Sequence, residues 1–128
     1  MPRGSQLTVC LENKPGQLAK LGAALRRAKL NILAISVVDN SDTALVRVVA
    51  DNSAKAAQAL KRAGMKPTRQ AVLVLSLPNE PGALGEASAK LAEAGVNINY
   101  VYGSVEKGGA QGTIVFGVDD LDKAVKAT

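Results

Sequence analysis

The chain has 128 residues, a net charge of +5, no histidine and one cysteine, Cys10. Without histidine it lacks the commonest general base and metal ligand, and one cysteine excludes an internal disulfide and a cysteine-cluster metal site. Hydrophobic residues make up 47% of the chain but aromatic ones only 2%, so any core must be aliphatic.

The positive charge lies in the first half of the chain. Residues 1–70 carry 12 basic and 4 acidic side chains, whereas residues 71–128 carry 4 basic and 7 acidic ones. Such asymmetry can indicate nucleic acid or an acidic partner, or an attraction between the two halves or between two copies. Because the basic residues fall mainly on predicted helix faces, a solvated surface is the simpler interpretation.

No targeting segment or cofactor motif stands out. The N-terminus has no apolar signal core, and no window is apolar enough to span a membrane. The glycine-rich segment at 108–112 opens a strand rather than a helix and is too loose for a phosphate loop. We therefore expect a cytoplasmic protein with no cofactor, no metal and no membrane contact.

The chain contains an internal duplication. A shift of 66 residues places Leu11–Leu18 (LENKPGQL) over Leu77–Leu84 (LPNEPGAL), and the match continues for twenty residues. Asp51 later matches Asp119 at a shift of 68, so the second copy has two extra residues, which we place in its glycine-rich hairpin. The sequence therefore predicts two modules, residues 1–70 and residues 71–128.

The first copy begins with a short strand, Leu7–Leu11, whose apolar alternation predicts that Cys10 is buried. An Asn-Lys-Pro-Gly turn at 13–16 opens a helix, because proline favours a helix start and glycine permits close backbone approach. Apolar residues recur at helical spacing in this segment: Leu18, Leu21, Leu25 and Ala28. A hairpin and a second helix follow: Ile32–Val38, Thr43–Val49, and Ser53–Ala63 ended by Gly64.

The second copy repeats this order. Its first strand is Ala71–Leu77, and its Asn-Glu-Pro-Gly turn lies at 79–82. The helical spacing reappears in Leu84, Ala87, Leu91 and Ala94, with Gly95 suited to a C-terminal cap. A hairpin and a short helix complete the copy: Ile98–Ser104, Thr113–Val118 and Leu121–Ala127. The candidate N-caps of the second helices are Asn52 or Ser53, and Asp119 or Asp120.

Each copy thus has the order βαββα, which predicts an α+β fold with antiparallel strands and helices on one face of the sheet. A complete module of this kind has a fourth strand after its second helix, and the second copy lacks one. Since an unpaired strand edge is a liability, we infer that the first strands of the two copies pair, or that another chain supplies the strand. Either route makes one extended sheet and favours a homodimer.

The Asn-x-Pro-Gly-x-Leu turn before an Ala/Leu-rich helix, followed by Ala-(Gly/Lys)-(Val/Leu)-Asn-Ile at the next strand, resembles the ACT domain. The resemblance covers Leu7 to Ala127 and occurs twice at matched spacing. It implies two tandem ferredoxin-like ACT modules, the second without its final strand, in a free-standing protein with no catalytic domain. ACT modules regulate amino-acid metabolism and pair through their sheets, so the resemblance implies a regulatory role.

The resemblance also implies a ligand site at the interface between modules. In the family, the loop between the first strand and the first helix holds a free amino acid, and the start of the second strand faces it. The corresponding residues of this sequence are Asn13, Lys14, Pro15, Gly16, Gln17, Leu18, Asn31, Ile32, Asn79, Glu80, Pro81, Gly82, Ala83, Leu84, Asn97 and Ile98.

The chemistry of these loops is consistent with an amino-acid ligand. A helix N-terminus offers free N–H groups and a positive dipole to a carboxylate, and asparagine can meet either charge of the ligand. Asparagine before Pro-Gly is also ordinary turn chemistry, and Asn31 and Asn97 can equally cap a helix end. Small aliphatic side chains at Ala83, Leu84 and Ile98 favour an apolar amino acid over an aromatic one.

The two loops differ in charge, because Lys14 and Gln17 of the first copy become Glu80 and Ala83 of the second. A carboxylate is expected to prefer the first loop and an ammonium group the second. A single amino acid lying between the two would satisfy both.

Three other functions compete with amino-acid sensing. Two of them fit the sequence less well, and the third fits it equally well. Catalysis is disfavoured, because no nucleophile–base pair is visible and Asp119, Asp120 and Asp122 are explained by a helix cap and first-turn acids. RNA-recognition modules share this architecture but stack bases on aromatic residues of central strands, and here only Tyr100 and Tyr102 alternate, on one strand of the second copy. An interaction subunit that lends its sheet edge to an enzyme of amino-acid metabolism stays open beside the free-standing sensor.

Overall fold

The computed structural model describes residues 2–128, which form six strands and four helices. In chain order these are β1 (Arg3–Glu12), α1 (Gln17–Arg27), β2 (Ile32–Asn40), β3 (Thr43–Ala50), α2 (Ser53–Arg62), β4 (Thr68–Pro78), α3 (Ala83–Glu93), β5 (Ile98–Ser104), β6 (Gln111–Val118) and α4 (Leu121–Ala127). The predicted α+β fold with two successive βαββα arrangements is confirmed.

The chain divides into two compact units. The N-terminal unit comprises residues 5–70, and the C-terminal unit comprises residues 71–128 together with residues 2–4. Each contains three antiparallel strands, ordered β2-β3-β1 in the N-terminal unit and β4-β6-β5 in the C-terminal unit. The two units therefore share one strand order, which agrees with the internal duplication.

The core of the N-terminal unit lies between its strands and its two helices. Alternate side chains of β1 and β3 face this core, so that Leu7 lies opposite Val48 and Val9 lies opposite Val46. Helices α1 and α2 each bury one apolar stripe against it. The buried cluster is aliphatic throughout: Leu7, Val9, Leu11, Leu21, Ala24, Leu25, Val46, Val48, Ala50, Ala56, Ala57, Leu60 and Met65.

The prediction that Cys10 is buried is wrong. Leu7, Val9 and Leu11 occupy the core-facing positions of β1, and successive side chains of a strand point to opposite faces. Cys10 therefore faces away from the core and is exposed. Its apolar neighbours in the sequence indicated a strand correctly, but the phase of the alternation decides which face each residue takes.

Two leucines of the predicted helical spacing are exposed. Leu18 is 48% exposed and Leu84 is 46% exposed, although both lie in helices with apolar periodicity. Each is the second residue of its helix, and the stripe that contacts the core begins three residues later, at Leu21 and Ala87. Both leucines belong to the loop residues predicted as a ligand site.

The core of the C-terminal unit is built around Phe116, which is fully buried at the centre of β6. Leu73 of β4 lies opposite it in the strand register, and α3 contributes Leu91. The short α4 contributes Ala124, which is fully buried, so even this seven-residue helix packs on the core.

The C-terminal unit includes the first residues of β1. Val74 of β4 donates a backbone hydrogen bond of 2.6 Å to the carbonyl oxygen of Pro2, and the Arg3 guanidinium lies 2.7 Å from Asp122 Oδ1. Residues 2–4 thus lie on the side of β4 that does not pair with β6, where a fourth strand of this unit was predicted to be missing.

The N-terminal unit correspondingly includes the first residues of β4. Gln70 Oε1 accepts a hydrogen bond of 2.9 Å from Thr8 Oγ1 and one of 3.3 Å from the fully buried Gln6 Nε2. Both segments lie outside the predicted strands, which began at Leu7 and Ala71, because their polar residues give no apolar alternation. Strands β1 and β4 therefore each begin in one unit and end in the other.

The N-caps of the second helices are Asn52 and Asp120. Asn52 Oδ1 accepts a hydrogen bond of 3.0 Å from the Lys55 N–H, and Asp120 Oδ1 accepts one of 3.1 Å from the Lys123 N–H. These are the expected capping contacts, so each pair of sequence alternatives is resolved.

The second residue after α1 has a strained backbone conformation where the second copy has glycine. Lys29 has a φ of 59°, in the left-handed region, and Gly95 holds the equivalent position after α3 with a φ of 75°. A side chain in this conformation costs about 1 kcal/mol relative to glycine. We expect Lys29→Gly to raise the free energy of unfolding by about 1 kcal/mol in urea denaturation, and Gly95→Lys to lower it similarly. A loss of stability in Lys29→Gly would contradict the assignment.

Candidate functional site: the strand-to-helix loops

The loop between β1 and α1 is held against the β2–β3 hairpin by Asn13. The side-chain amide of Asn13 donates hydrogen bonds of 3.0 Å to Asp39 Oδ1 and 2.8 Å to the carbonyl oxygen of Ser41. Its backbone N–H donates to the carbonyl oxygen of Asp42 at 2.9 Å. Both amide protons of the side chain are thus used within the protein, and Oδ1 is the atom that stays available to a ligand.

Asn79 makes the corresponding hydrogen bonds in the C-terminal unit. We call each of these two sets of bonds, made by Asn13 or Asn79 to the hairpin of its unit, an asparagine latch. Its side-chain amide donates a hydrogen bond of 2.7 Å to the carbonyl oxygen of Gly109, and its backbone N–H donates to that of Ala110 at 2.9 Å. The acceptors here are backbone atoms of the β5–β6 hairpin instead of a side chain. Each loop is therefore fixed by an asparagine, and turn chemistry explains the Asn-x-Pro-Gly motif as directly as ligand binding does.

The contribution of each asparagine latch to stability can be measured. We expect Asn13→Ala and Asn79→Ala each to lower the free energy of unfolding by about 1 kcal/mol, since each loses the side-chain hydrogen bonds that join its loop to its hairpin. Amide hydrogen exchange should accelerate at the altered loop and at its hairpin, and not in the other unit. Unchanged exchange at both would show that the latch does not order the loop.

Both loops end in a helix start that has no side-chain cap. The N-cap residues Gly16 and Gly82 each have a φ of 89° and no side chain to offer. In the described chain, the backbone N–H groups of Gln17, Leu18 and Ala19 have no hydrogen-bond acceptor. The first turn of α1 also lacks an acidic residue. Free N–H groups and the positive helix end together suit an anionic group.

The starts of β2 and β5 are fixed by two aspartates that the sequence analysis did not assign to the site. Asn31 N–H donates to Asp51 Oδ1 at 3.3 Å and its carbonyl oxygen accepts from Asp51 N–H at 3.1 Å. Asn97 and Asp119 repeat this exchange at 2.9 Å and 3.2 Å. The alternative that these asparagines cap helix ends is therefore wrong. The signal was present, since Asp51 and Asp119 coincide in the duplication.

The side chains of Asn31 and Asn97, at the starts of β2 and β5, differ in their hydrogen bonding. Asn97 Nδ2 donates to Asn99 Oδ1 at 2.9 Å, whereas the exposed side-chain amide of Asn31 makes no hydrogen bond with any described residue. Within the described chain, no hydrogen bond joins residues 13–18 to Asn31 or residues 79–84 to Asn97. The structure connects each loop to its hairpin and each strand start to its aspartate, as two separate arrangements.

The charge difference between the loops is smaller than the sequence suggests. Lys14 Nζ lies 3.1 Å from Glu12 Oε2, and both side chains are mostly exposed. Pro78 stands at the position equivalent to Glu12, so Glu80 has no such neighbour in the C-terminal unit. The ammonium group of Lys14 is therefore partly offset, and the carboxylate of Glu80 is not.

The loop residues Pro15 and Pro81 are exposed, and the candidate apolar contacts are Leu18, Leu84 and Ile32, which are exposed to 48%, 46% and 40%. Ile98 is partly buried against the core of the C-terminal unit. An exposed leucine beside an uncapped helix start offers an aliphatic surface next to N–H groups that suit an anion.

The described residues hold no group of three or more histidine, cysteine, aspartate or glutamate side chains suited to a metal ion. Of the helices described, none is both long enough and apolar enough to cross a bilayer. Tyr100 and Tyr102 stack on each other with ring centroids 6.4 Å apart, on β5, which is an outer strand of the β4-β6-β5 order. This differs from the central-strand aromatic residues on which RNA-recognition modules stack bases.

A family model described as an ACT domain pair matches residues 4–127. The chain belongs to the ACT domain family. The ACT pair accounts for the two equivalent units and for the two latched loops. No curated protein sequence matches the chain significantly.

Several solved structures are similar to this chain in fold. Protein BT0572 from Bacteroides thetaiotaomicron is 28% identical, with a TM-score of 0.90 over 98% of this chain and 86% of that one. The regulatory subunit of aspartate kinase from Thermus thermophilus is 16% identical, with a TM-score of 0.71 over 96% and 89% of the two chains. The corresponding subunit from Thermus flavus is 17% identical, with a TM-score of 0.67 over 99% and 90%. At this low sequence identity, the two aspartate kinase subunits show similarity of fold only.

Proposed function

We propose that this ACT pair is a regulatory protein that binds a free, apolar amino acid at its strand-to-helix loops and does not catalyse a reaction. Its family and the regulatory subunits that share its fold support a regulatory role. The observation that carries the ligand assignment is the latched loop that ends in an uncapped helix start, present once in each unit.

The first loop offers a partner for each part of an amino acid. The free N–H groups of Gln17 and Leu18 suit the carboxylate, because they add the positive helix end to hydrogen bonding. Asn13 Oδ1 and the side chain of Asn31 are acceptors for the ammonium group. The exposed side chain of Leu18 favours an aliphatic ligand side chain over a charged one.

A thermal-shift screen of the full chain against the twenty amino acids tests the proposal. An amino acid that binds only the folded state stabilises it by about 2.7 kcal/mol at one hundred times its Kd, which raises the Tm by several degrees. We expect hits among the aliphatic amino acids. No shift with any of them at millimolar concentration would overturn the amino-acid assignment and favour an interaction subunit of an enzyme.

A leucine variant locates the site. Leu18→Ser should weaken the best hit by about tenfold in isothermal titration, because the aliphatic contact is lost while little buried area changes in the free protein. Val105→Ser is the matched control, since Val105 is 43% exposed but lies outside both loops. Equal affinities of wild type and Leu18→Ser would place the ligand elsewhere.

The opposite charges of the loops give a further test of where the ligand lies. If the ligand lies at the first loop, Lys14→Glu should weaken its binding, because the carboxylate then meets a like charge, whereas Glu80→Lys in the other unit should leave it unchanged. Isothermal titration that finds both variants unchanged would show that neither side chain meets the ligand. A change in only one variant would assign the ligand to that loop.

We also propose that the chain is a homodimer and that β2 lies in the contact. β2 exposes apolar side chains on both faces, which is unusual for an outer strand that stays in water: Ile32, Leu33, Ile35, Val37 and Val38. In sedimentation analysis we expect the wild type to be a dimer and Val37→Lys to be a monomer with unchanged circular dichroism. A monomeric wild type would favour a partner enzyme as the occupant of this strand.

A further inference from the structure

A second cleft lies in the N-terminal unit, between the end of β1, the start of α1 and the turn that follows α2. It has a volume of about 490 Å³, which falls within the range of small-molecule pockets. Its polar and reactive lining comes from three lysines, a glutamate, a glutamine and the cysteine: Cys10, Glu12, Lys14, Gln17, Lys20 and Lys66. Below it is called the lysine cleft.

The charge of the lysine cleft is poorly balanced. Glu12 is the acidic residue of its lining, and this carboxylate already lies 3.1 Å from Lys14 Nζ. Within the described chain, neither Lys20 nor Lys66 has a carboxylate within salt-bridge distance. Neither α1 nor α2 contains an acidic residue. Three ammonium groups against one carboxylate leave a positive potential in a concave surface, which attracts an anion.

The duplicated unit shows that the fold does not require this charge. A cleft of about 250 Å³ lies at the same place in the C-terminal unit, between the end of β4 and the start of α3. There the positions of Cys10, Gln17 and Lys20 are held by Ser76, Ala83 and Glu86. The two clefts share their position in the fold and differ in charge and in size, so the lysines mark a property of the first unit alone.

We propose that the lysine cleft binds a small phosphate-bearing anion. Three lysines and one glutamate leave two positive charges, and a phosphate monoester carries close to two negative charges at neutral pH. Lysine is a common phosphate ligand because its ammonium group acts as a mobile point charge. This site lies on the side of α1 that meets the 64–66 turn, and it shares Lys14 and Gln17 with the loop proposed for the amino acid, whereas Lys20 and Lys66 belong to the cleft alone.

Cys10 makes the proposal testable in the full-length protein. It is the chain's one cysteine, it is exposed, and it lines the cleft, so its rate of alkylation reports occupancy. Neutral iodoacetamide is used, and the product is quantified by intact mass. Inorganic phosphate and glycerol 2-phosphate are titrated separately, with sodium chloride holding the ionic strength constant. At ten times Kd, mass action predicts alkylation that is about tenfold slower.

Charge variants distinguish specific binding in the lysine cleft from a general electrostatic effect of added salt. Lys20→Glu should abolish the protection, and Lys66→Glu should weaken it. Lys55→Glu makes the same change of charge on α2, outside the cleft lining, and should retain protection, as should Glu86→Lys in the other cleft. Tighter protection by glycerol 2-phosphate than by inorganic phosphate would assign the site to phosphate esters, and the reverse would assign it to the free ion.

Three results would overturn the proposal. These are no slowing with either phosphate compound, slowing that survives Lys20→Glu, and equal slowing by sodium chloride alone. The amino-acid screen is read separately with Leu18→Ser, which lies outside the cleft lining. Loss of phosphate protection with an unchanged amino-acid response would therefore overturn this proposal alone, and an absent amino-acid response with protection that requires Lys20 would overturn the proposed function alone.

Discussion

Phe116→Ala is expected to lower the free energy of unfolding by about 3–5 kcal/mol, because the deletion leaves a cavity in a core that cannot fully close around it. Phe116 is fully buried and is the largest side chain of the C-terminal core. Since domains of this size are stable by only about 5–15 kcal/mol, the variant should be partly unfolded at physiological temperature. Urea denaturation followed by circular dichroism measures the change.

Val101→Ala is the matched control for this variant. Val101 lies opposite Phe116 in the β5–β6 register but is 41% exposed, so its truncation should cost less than about 1 kcal/mol. Similar losses in the two variants would mean that position in the sheet, rather than burial, decides the cost.

Gly117→Val should lower the free energy of unfolding by about 1–3 kcal/mol, because the new side chain overlaps the ring of Tyr100. A Cβ atom at Gly117 would contact the ring atoms of Tyr100 directly. In the first unit the equivalent cross-strand pair is Ala34 with Val49, so the smaller residue lies on the other strand of the pair. The small and large residues have exchanged strands between the two units.

The double variant Tyr100→Ala with Gly117→Val imports the pair found in the first unit. It should be more stable than the sum of the single effects predicts, with a coupling of about 0.5–3 kcal/mol. A double-mutant cycle in urea measures this coupling. Additive losses would show that Gly117 is required for a reason other than the tyrosine ring.

The duplication made most of the fold predictable from the sequence. Helix and strand periods repeat in both copies, so a weak signal in one is checked by the other. The error at Cys10 and the exposure of Leu18 and Leu84 share one cause. Apolar character indicates that a residue can be buried, but only the phase of the strand or the position in the helix determines whether it is.

The candidate site was less predictable, because its key contacts join residues far apart in the sequence. Nothing in the Asn-x-Pro-Gly motif indicates that Asn13 uses its amide protons on Asp39 and Ser41. The lysine cleft likewise combines Lys20 with Lys66, which are brought together only by packing of the turn after α2 against β1 and α1. The family resemblance predicted which loops to consider, and the tertiary structure shows which hydrogen bonds Asn13 and Asn79 make in them.

The shared strands constrain how the chain can be divided. Since residues 2–4 belong with the second half of the sequence and residues 68–70 belong with the first unit, a cut between Gln70 and Ala71 deprives the second half of a segment that completes it. A chain made of one module alone would have to obtain that segment from another molecule, in an exchange that depends on concentration. In the tandem chain the segment is covalently attached, so its effective concentration is fixed by the chain itself.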